Sequence, residues 1–293
     1  KTAPGLSPFV HPDAQRRFRV MHSELELEQA LEAPWEKWAV FLHPTQRRLV
    51  ERSYGGPARV SGTAGTGKTV VALHRAVHLA RQNDYARVLL ATFSKTLAHA
   101  LERKRNILVH NEPHLADRIE VYDLNTLAKR LYRFNFGGQK PKMAPPDEVK
   151  KRLAEAAAAA EGHKFTLPFL WTEWEEVVDA RQTDTWEAYR DVPRLGRKIR
   201  LTDAQRQLLW QIFERVREHI NANNWMTLAE IYTQLALKFE QEGQSPYQFV
   251  VVDEAQDVNI PQMRFFAALT GKLPDGLFFA GDLGQRIFQQ PFS

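Results

Sequence analysis

Residues 62–69 read Gly62-Thr63-Ala64-Gly65-Thr66-Gly67-Lys68-Thr69, which fits the pattern G-x-x-x-x-G-K-[ST]. This octapeptide constrains the fold more than any other stretch. It works only between a buried strand and the first turn of a helix, where backbone N–H groups wrap a phosphate and the helix N-terminus adds its positive end. The flanks supply both. Ala58 to Ser61 is a short run that reads as a strand, and Val70, Leu73, Val77 and Ala80 predict a helix over 70–81. In such a loop Gly62, Thr63, Ala64, Gly65, Thr66 and Gly67 cradle the β-phosphate. Lys68 reaches the β- and γ-phosphates, and Thr69 ligates magnesium.

A second element belongs to the same chemistry. Val250-Val251-Val252-Asp253-Glu254-Ala255-Gln256-Asp257 is an apolar strand ending in paired carboxylates. That ending puts both acids at the carboxyl edge of a sheet, where α/β folds bind ligands. Asp253 suits the magnesium shell, and Glu254 suits the general base that orients an attacking water. The cofactors implied are ATP and Mg2+. An Asn-Lys-x-Asp guanine reader and a Leu-Ser-Gly-Gly-Gln signature are both absent, which argues against a GTPase and a transporter-type ATPase.

Strand and helix alternate through most of the chain. Pro44 to Tyr54 predicts a helix, Val88 to Thr92 a buried strand, Lys95 to Arg105 a helix, Phe249 to Val252 a strand, Pro261 to Leu269 a helix and Leu277 to Ala280 a strand. This is the rhythm of a parallel sheet with helices on both faces. It breaks near residue 133. Pro141, Pro145 and Pro146 mark a boundary, and the following stretch reads as helical, including the alanine-rich Ala154 to Ala160. Thr202 with Gln205 forms a capping-box signature ahead of Leu208, Leu209, Ile212, Phe213, Val216 and Ile220 on one face. Roughly 185 residues separate Lys68 from Asp253, far more than one or two crossovers of about 30 residues require. The expected layout is a lead-in over 1–35 with a short helix at Ser23 to Leu31, an α/β domain over 36–132 and 225–293, and a mainly helical insertion over 133–224.

Composition narrows the classes further. The 293 residues contain no cysteine, which removes disulfides, thiolate metal sites and cysteine nucleophiles and suits a reducing, cytoplasmic setting. No apolar run reaches the roughly 20 residues that cross a bilayer, and the N-terminus has no signal pattern, so no membrane is expected. A net charge of +5 permits a polyanionic partner without demanding one. The start at Lys1 and the stop at Ser293 read as a piece of a longer protein.

Taken in order, these motifs resemble the superfamily 1 helicases of the UvrD/Rep/PcrA group over roughly residues 36–293. Gln46, in Leu42-His43-Pro44-Thr45-Gln46, resembles the adenine-reading glutamine of that family. Leu90-Ala91-Thr92-Phe93-Ser94-Lys95 resembles its first DNA motif, and Asp123-Leu124-Asn125-Thr126-Leu127 sits at its second. Asp253-Glu254-Ala255-Gln256-Asp257 is similar to the magnesium motif. Gly281-Asp282-Leu283-Gly284-Gln285-Arg286-Ile287-Phe288 is similar to the following motif, in which Gln285 would sense the γ-phosphate. The resemblance implies a RecA-like domain with an inserted helical subdomain. It also implies an ATP-dependent motor on single-stranded DNA running 3′ to 5′ and working in DNA repair, with Thr92, Phe93, Asn125 and Phe288 touching the strand.

The chain departs from the family pattern at Val70, Asn125 and Gln290, where relatives carry Arg, His and a base-stacking Trp. Family members also have a second RecA-like domain with an arginine finger, worth about 10³–10⁵ in turnover, so these 293 residues alone are expected to be weakly active. Two alternatives therefore stay open: a nucleotide-switched nucleic-acid clamp that separates no duplex, and a motor directed to RNA. His74 and His78 read as a plain helix face rather than a metal pair. Trp171, Trp174 and Trp186 read as core, and Arg194, Arg197, Lys198 and Arg200 as a basic face open to solvent or phosphate.

Overall fold

The computed structural model describes residues 40–160, 162–193 and 200–282. Its strands are β1 (Ala58–Ser61), β2 (Val88–Thr92), β3 (Ile119–Asp123), β4 (Phe249–Asp253) and β5 (Leu277–Gly281). All are parallel, in the order β1-β5-β4-β2-β3. Every residue of β2, β4 and β5 is buried, so both faces of the sheet need helical cover.

The chain supplies that cover through α1 (Pro44–Glu51), α2 (Lys68–Gln82), α3 (Lys95–Leu108), α4 (Pro113–Arg118), α5 (Leu124–Asn135), α6 (Pro146–Ala158), α7 (Leu167–Glu173), α8 (Trp186–Arg190), α9 (Asp203–Ala222), α10 (Leu228–Glu242) and α11 (Ile260–Thr270). Strand side chains alternate between the two faces. Leu89, Ala91, Val250, Val252, Leu277 and Phe279 share one core with α5, α10 and α11. Their alternates, including Leu90, Val251 and Phe278, are equally buried and belong to the face that α2 and α3 cover. The fold is thus α/β with an all-parallel sheet, as the strand–helix rhythm predicts. Among the described residues no helix is long and apolar enough to cross a membrane.

Two local differences from the sequence reading have physical causes. The helix expected over Pro44 to Tyr54 stops at Glu51, because Arg52 turns extended. The freed carbonyls of Val50 and Arg52 accept from the buried Arg75 guanidinium at 2.5 and 2.9 Å, and the Tyr54 N–H donates to Asp275 at 2.6 Å. Arg75 also pairs with Asp275 at 2.6 Å and lies over the rings of Tyr54 and Phe278. One buried cation therefore ties α1, α2 and the turn before β5 together. The second difference is β3, which apolar patterning did not mark out. It is only half-buried, and its Glu120 takes Arg87 and the Tyr247 hydroxyl as partners.

The helical stretch has a separate core. Val149 and Leu153 of α6, Leu170 of α7, Tyr189 of α8 and Leu209, Ile212, Phe213 and Val216 of α9 pack together. Trp174 is buried there, and Trp171 and Trp186 pack against its edge. Thr202 and Gln205 close the capping box that the sequence suggested for α9. The stretch joins the α/β part through paired hydrogen bonds, Met226 N–H to Lys142 at 2.8 Å and Ala144 N–H to Met226 at 2.9 Å. A third tie runs from the Thr227 hydroxyl to Asp179 at 2.6 Å. Residues 1–35, the helix expected at Ser23 to Leu31, and Arg194, Arg197 and Lys198 lie outside the described residues.

Candidate active site

Parallel register puts four strand ends in a row. Ser61 of β1 pairs with Gly281 of β5, Ala280 pairs with Asp253 of β4, and Ala91 of β2 pairs with Val252. The strand that separates the loop over 62–67 from Asp253 is thus β5, whose carboxyl end is Gly281. Everything polar that follows these strands converges on one edge of the sheet.

The loop from Gly62 to Gly67 leaves β1 and opens α2. Gly65 and Gly67 both have φ of 78°, and Gly67 is the N-cap of α2. L side chains rarely adopt that conformation. A Cβ on Gly67 would also come within 3.0 Å of the Gln46 amide. Within the loop the Thr66 hydroxyl donates to the Thr63 carbonyl at 2.8 Å. The Lys68 ammonium donates to the carbonyls of Gly62 and Thr63 at 2.8 and 2.9 Å. The positive charge is therefore held over its own loop, at the N-terminus of a helix.

Gln46 reaches the loop from α1. Its Nε2 donates to the Thr66 carbonyl at 2.7 Å, while its Oε1 accepts the His43 N–H at 3.1 Å. The second bond is half of a capping box whose other half is the His43 ring. Gln46 is thus fixed at both ends of its amide. His43 was not singled out from the sequence, although a polar residue three positions before a Gln is the available signal.

Across the row, Asp253 is 3% exposed. Burial pushes its carboxyl up to about 6 from the ordinary 3.8; the Thr69 hydroxyl bonded to it pulls the other way, and the Glu254 charge adds to the rise. The two residues assigned to magnesium are therefore in contact. Glu254 follows in the left-handed region, with φ of 55°, a conformation that non-glycine residues adopt mostly at turns and functional sites. Its Oε2 accepts from Gln256 Nε2 at 2.6 Å. Gln256 is buried, and its Oε1 accepts the Asp282 N–H at 3.1 Å. Sequence reading gave Gln256 no role, because its partner Asp282 meets it only in the fold.

A family model described as UvrD/REP helicase N-terminal domain matches residues 42–290. The chain belongs to this family. No curated protein matches it. Membership in the UvrD/REP family supports a nucleotide-binding motor of helicase type.

Helicases of this family use ATP with Mg2+ in general and act on nucleic acid. The site fits such a cation. Asp253 is a buried carboxylate that makes no ion pair among the described residues; its neutral partners are the Thr69 hydroxyl and the Glu254 backbone N–H. Mg2+ is typically held by one or two carboxylates plus phosphate oxygens and waters. Among the described residues no cluster of three or more His, Cys, Asp or Glu side chains could hold a metal, so the donor set here is that sparse kind. His74 and His78 are half-buried along α2.

The residues matched to the family's DNA motifs fall in different environments. Phe93 and Asn125 follow neighbouring strands, since Thr92 pairs with Asp123. Asn125 is exposed in the first turn of α5, and Phe93 is half-buried against the core. Thr92 is fully buried, and its hydroxyl has no partner among the described residues, so its side chain is covered by the fold rather than open to a nucleic-acid strand. Gln285 and Phe288 lie outside the described residues.

Proposed function

We propose that these residues form the ATP-hydrolysing half of a helicase that moves along single-stranded DNA, 3′ to 5′ as in its relatives. The observation that carries this reading is the hydrogen bond between Thr69 and Asp253, which joins the phosphate loop to the acidic strand end across β5. In this reading Gln46 reads the adenine, residues 62–67 wrap the β-phosphate, and Lys68 leaves its loop carbonyls for the β- and γ-phosphates. Thr69 and Asp253 would hold Mg2+, which would supply positive charge against that of the phosphates. Glu254 accepts the proton of the attacking water, and Gln285 senses the γ-phosphate. Phe93, Asn125 and Phe288 contact the strand, with Thr92 supporting them from inside the sheet. The helical stretch over 133–224 is the inserted subdomain, between the α/β segments 36–132 and 225–293.

The test is steady-state ATP turnover by the full-length protein, alone and with single-stranded DNA or RNA. Stimulation by DNA and loss of turnover in Lys68→Ala are expected. Undiminished turnover in Lys68→Ala would overturn the site assignment. Stimulation by RNA alone would move the substrate while keeping the motor. Tight Mg-ATP binding without stimulation by either would favour a nucleotide-switched clamp, a reading that the altered DNA-motif residues Asn125 and Gln290 motivate.

A further inference from the structure

Gln256 is buried two residues beyond the proposed base, and its amide is committed at both ends. Its oxygen accepts the backbone N–H of Asp282 at 3.1 Å. A backbone N–H can only donate, so this bond fixes which end of the amide is oxygen. The nitrogen therefore faces Glu254, and donates to Oε2 at 2.6 Å. One carboxylate oxygen of Glu254 is held and the other is left for a water. The seat beneath Gln256 is equally specific. A Cβ on Gly281 would stand 2.9 Å from Gln256 Oε1 and 3.0 Å from the backbone nitrogens of Ala255 and Gln256. Only a bare glycine lets the end of β5 lie this close to residues 255 and 256.

Glu254 needs such support. Its backbone is in the left-handed region, where a glutamate has little intrinsic preference for staying. It sits next to the buried Asp253, whose charge repels its own. We infer that Gln256 is a positioning residue that clamps the Glu254 carboxylate to the carboxyl end of β5, so that the base is aimed only while Asp282 holds the amide. This rests on the reading of Glu254 as base. It adds a consequence: a shift of Asp282 is transmitted to the base through one side chain.

The test compares Gln256→Met, Gln256→Glu and Glu254→Gln, together with the double variant Glu254→Gln/Gln256→Met. All are made in the full-length protein and assayed with saturating single-stranded DNA, with single-turnover hydrolysis of radiolabelled ATP for the slowest. Methionine keeps the length and removes both hydrogen bonds. Glutamate keeps the acceptor for Asp282 and replaces the donor with a repelling carboxylate. Both are expected to lower kcat by about ten- to a hundredfold, the scale of a slightly misplaced reacting group, with KM for ATP changed less than threefold. In the Glu254→Gln background, Gln256→Met is expected to add no further loss, since a residue acting through the base has nothing left to act on. If either single variant stays within twofold of the parent, or the double falls by a second full factor, the clamp is overturned. If Gln256→Met does not fold, Gln256→Glu decides alone. Retained turnover in Glu254→Gln would instead overturn the assignment of the base, so the two failures are separable.

Discussion

Replacing Asp253 with Asn is expected to make the protein more stable and useless. Asp253 is 3% exposed, and its carboxyl titrates at about 6 in the folded chain against 3.8 as a free group. That difference corresponds to about 3 kcal/mol against the charged form. Because the folded value is the higher one, folding takes up a proton between pH 3.8 and 6. Stability is undiminished below that window, falls as pH rises through it, and stays at the lower level above it. Asparagine carries no charge and keeps an oxygen for the Thr69 hydroxyl. Its advantage over the parent is therefore about 3 kcal/mol at pH 8 and about half that at pH 5. For a domain of this size about 3 kcal/mol raises the thermal midpoint by about 6–12 °C. Melting both proteins at pH 8 and pH 5, with and without Mg-ADP, checks each part. Mg-ADP is expected to raise the midpoint of the parent and leave the variant unchanged. A variant no more stable than the parent at pH 8, or an advantage equal at both pH values, would refute the account of a carboxylate buried for a cation.

Three other outcomes follow from particular contacts. Gln46→Ala removes the bonds to Thr66 and His43 and is expected to weaken Mg-ATP binding about tenfold while sparing GTP; equal losses in fluorescent-nucleotide displacement would reject adenine reading. Gly67→Ala meets both a φ of 78° and the Gln46 amide at 3.0 Å. Its left-handed penalty of about 1–2 kcal/mol should appear in urea unfolding as a loss of stability of that size. Arg75→Met strips a buried cation from two carbonyls and strands Asp275; urea unfolding is expected to show a loss of about 3 kcal/mol.

What could be read from the sequence was whatever is local. The loop at 62–69, the strands β1, β2, β4 and β5, and the capped α9 each announce themselves within twenty residues. β3 did not, because Ile119-Glu120-Val121-Tyr122-Asp123 carries a charge that the fold satisfies with Arg87 and Tyr247 from elsewhere. The early stop of α1 depends on Arg75 and Asp275, which are distant in sequence. Thr92 was read as a strand contact from its motif, and only its burial in the fold shows that its side chain is covered. Gln256 lay inside a motif already quoted, yet its role comes from Asp282 and Gly281 across the sheet. Partners distant in sequence set β3, the end of α1 and Gln256, burial by the rest of the fold sets Thr92, and local patterns hold no record of either.

The sheet order also fixes a sequence of events in time. β1 lies at one edge among the described strands, and the strand it pairs with is β5, Ala58 against Phe278 through Ser61 against Gly281. The earliest of the described strands to be synthesised is therefore held by the latest of them. A nascent chain carries the whole phosphate loop long before it carries the strand that anchors it, and closing that separation is entropically slow. Until residue 281 clears the ribosome, β1 is an unpaired edge, open to pairing with the wrong neighbour. In the proposed reading nucleotide binds the finished fold as a latch, adding stability only after β5 has paired with β1.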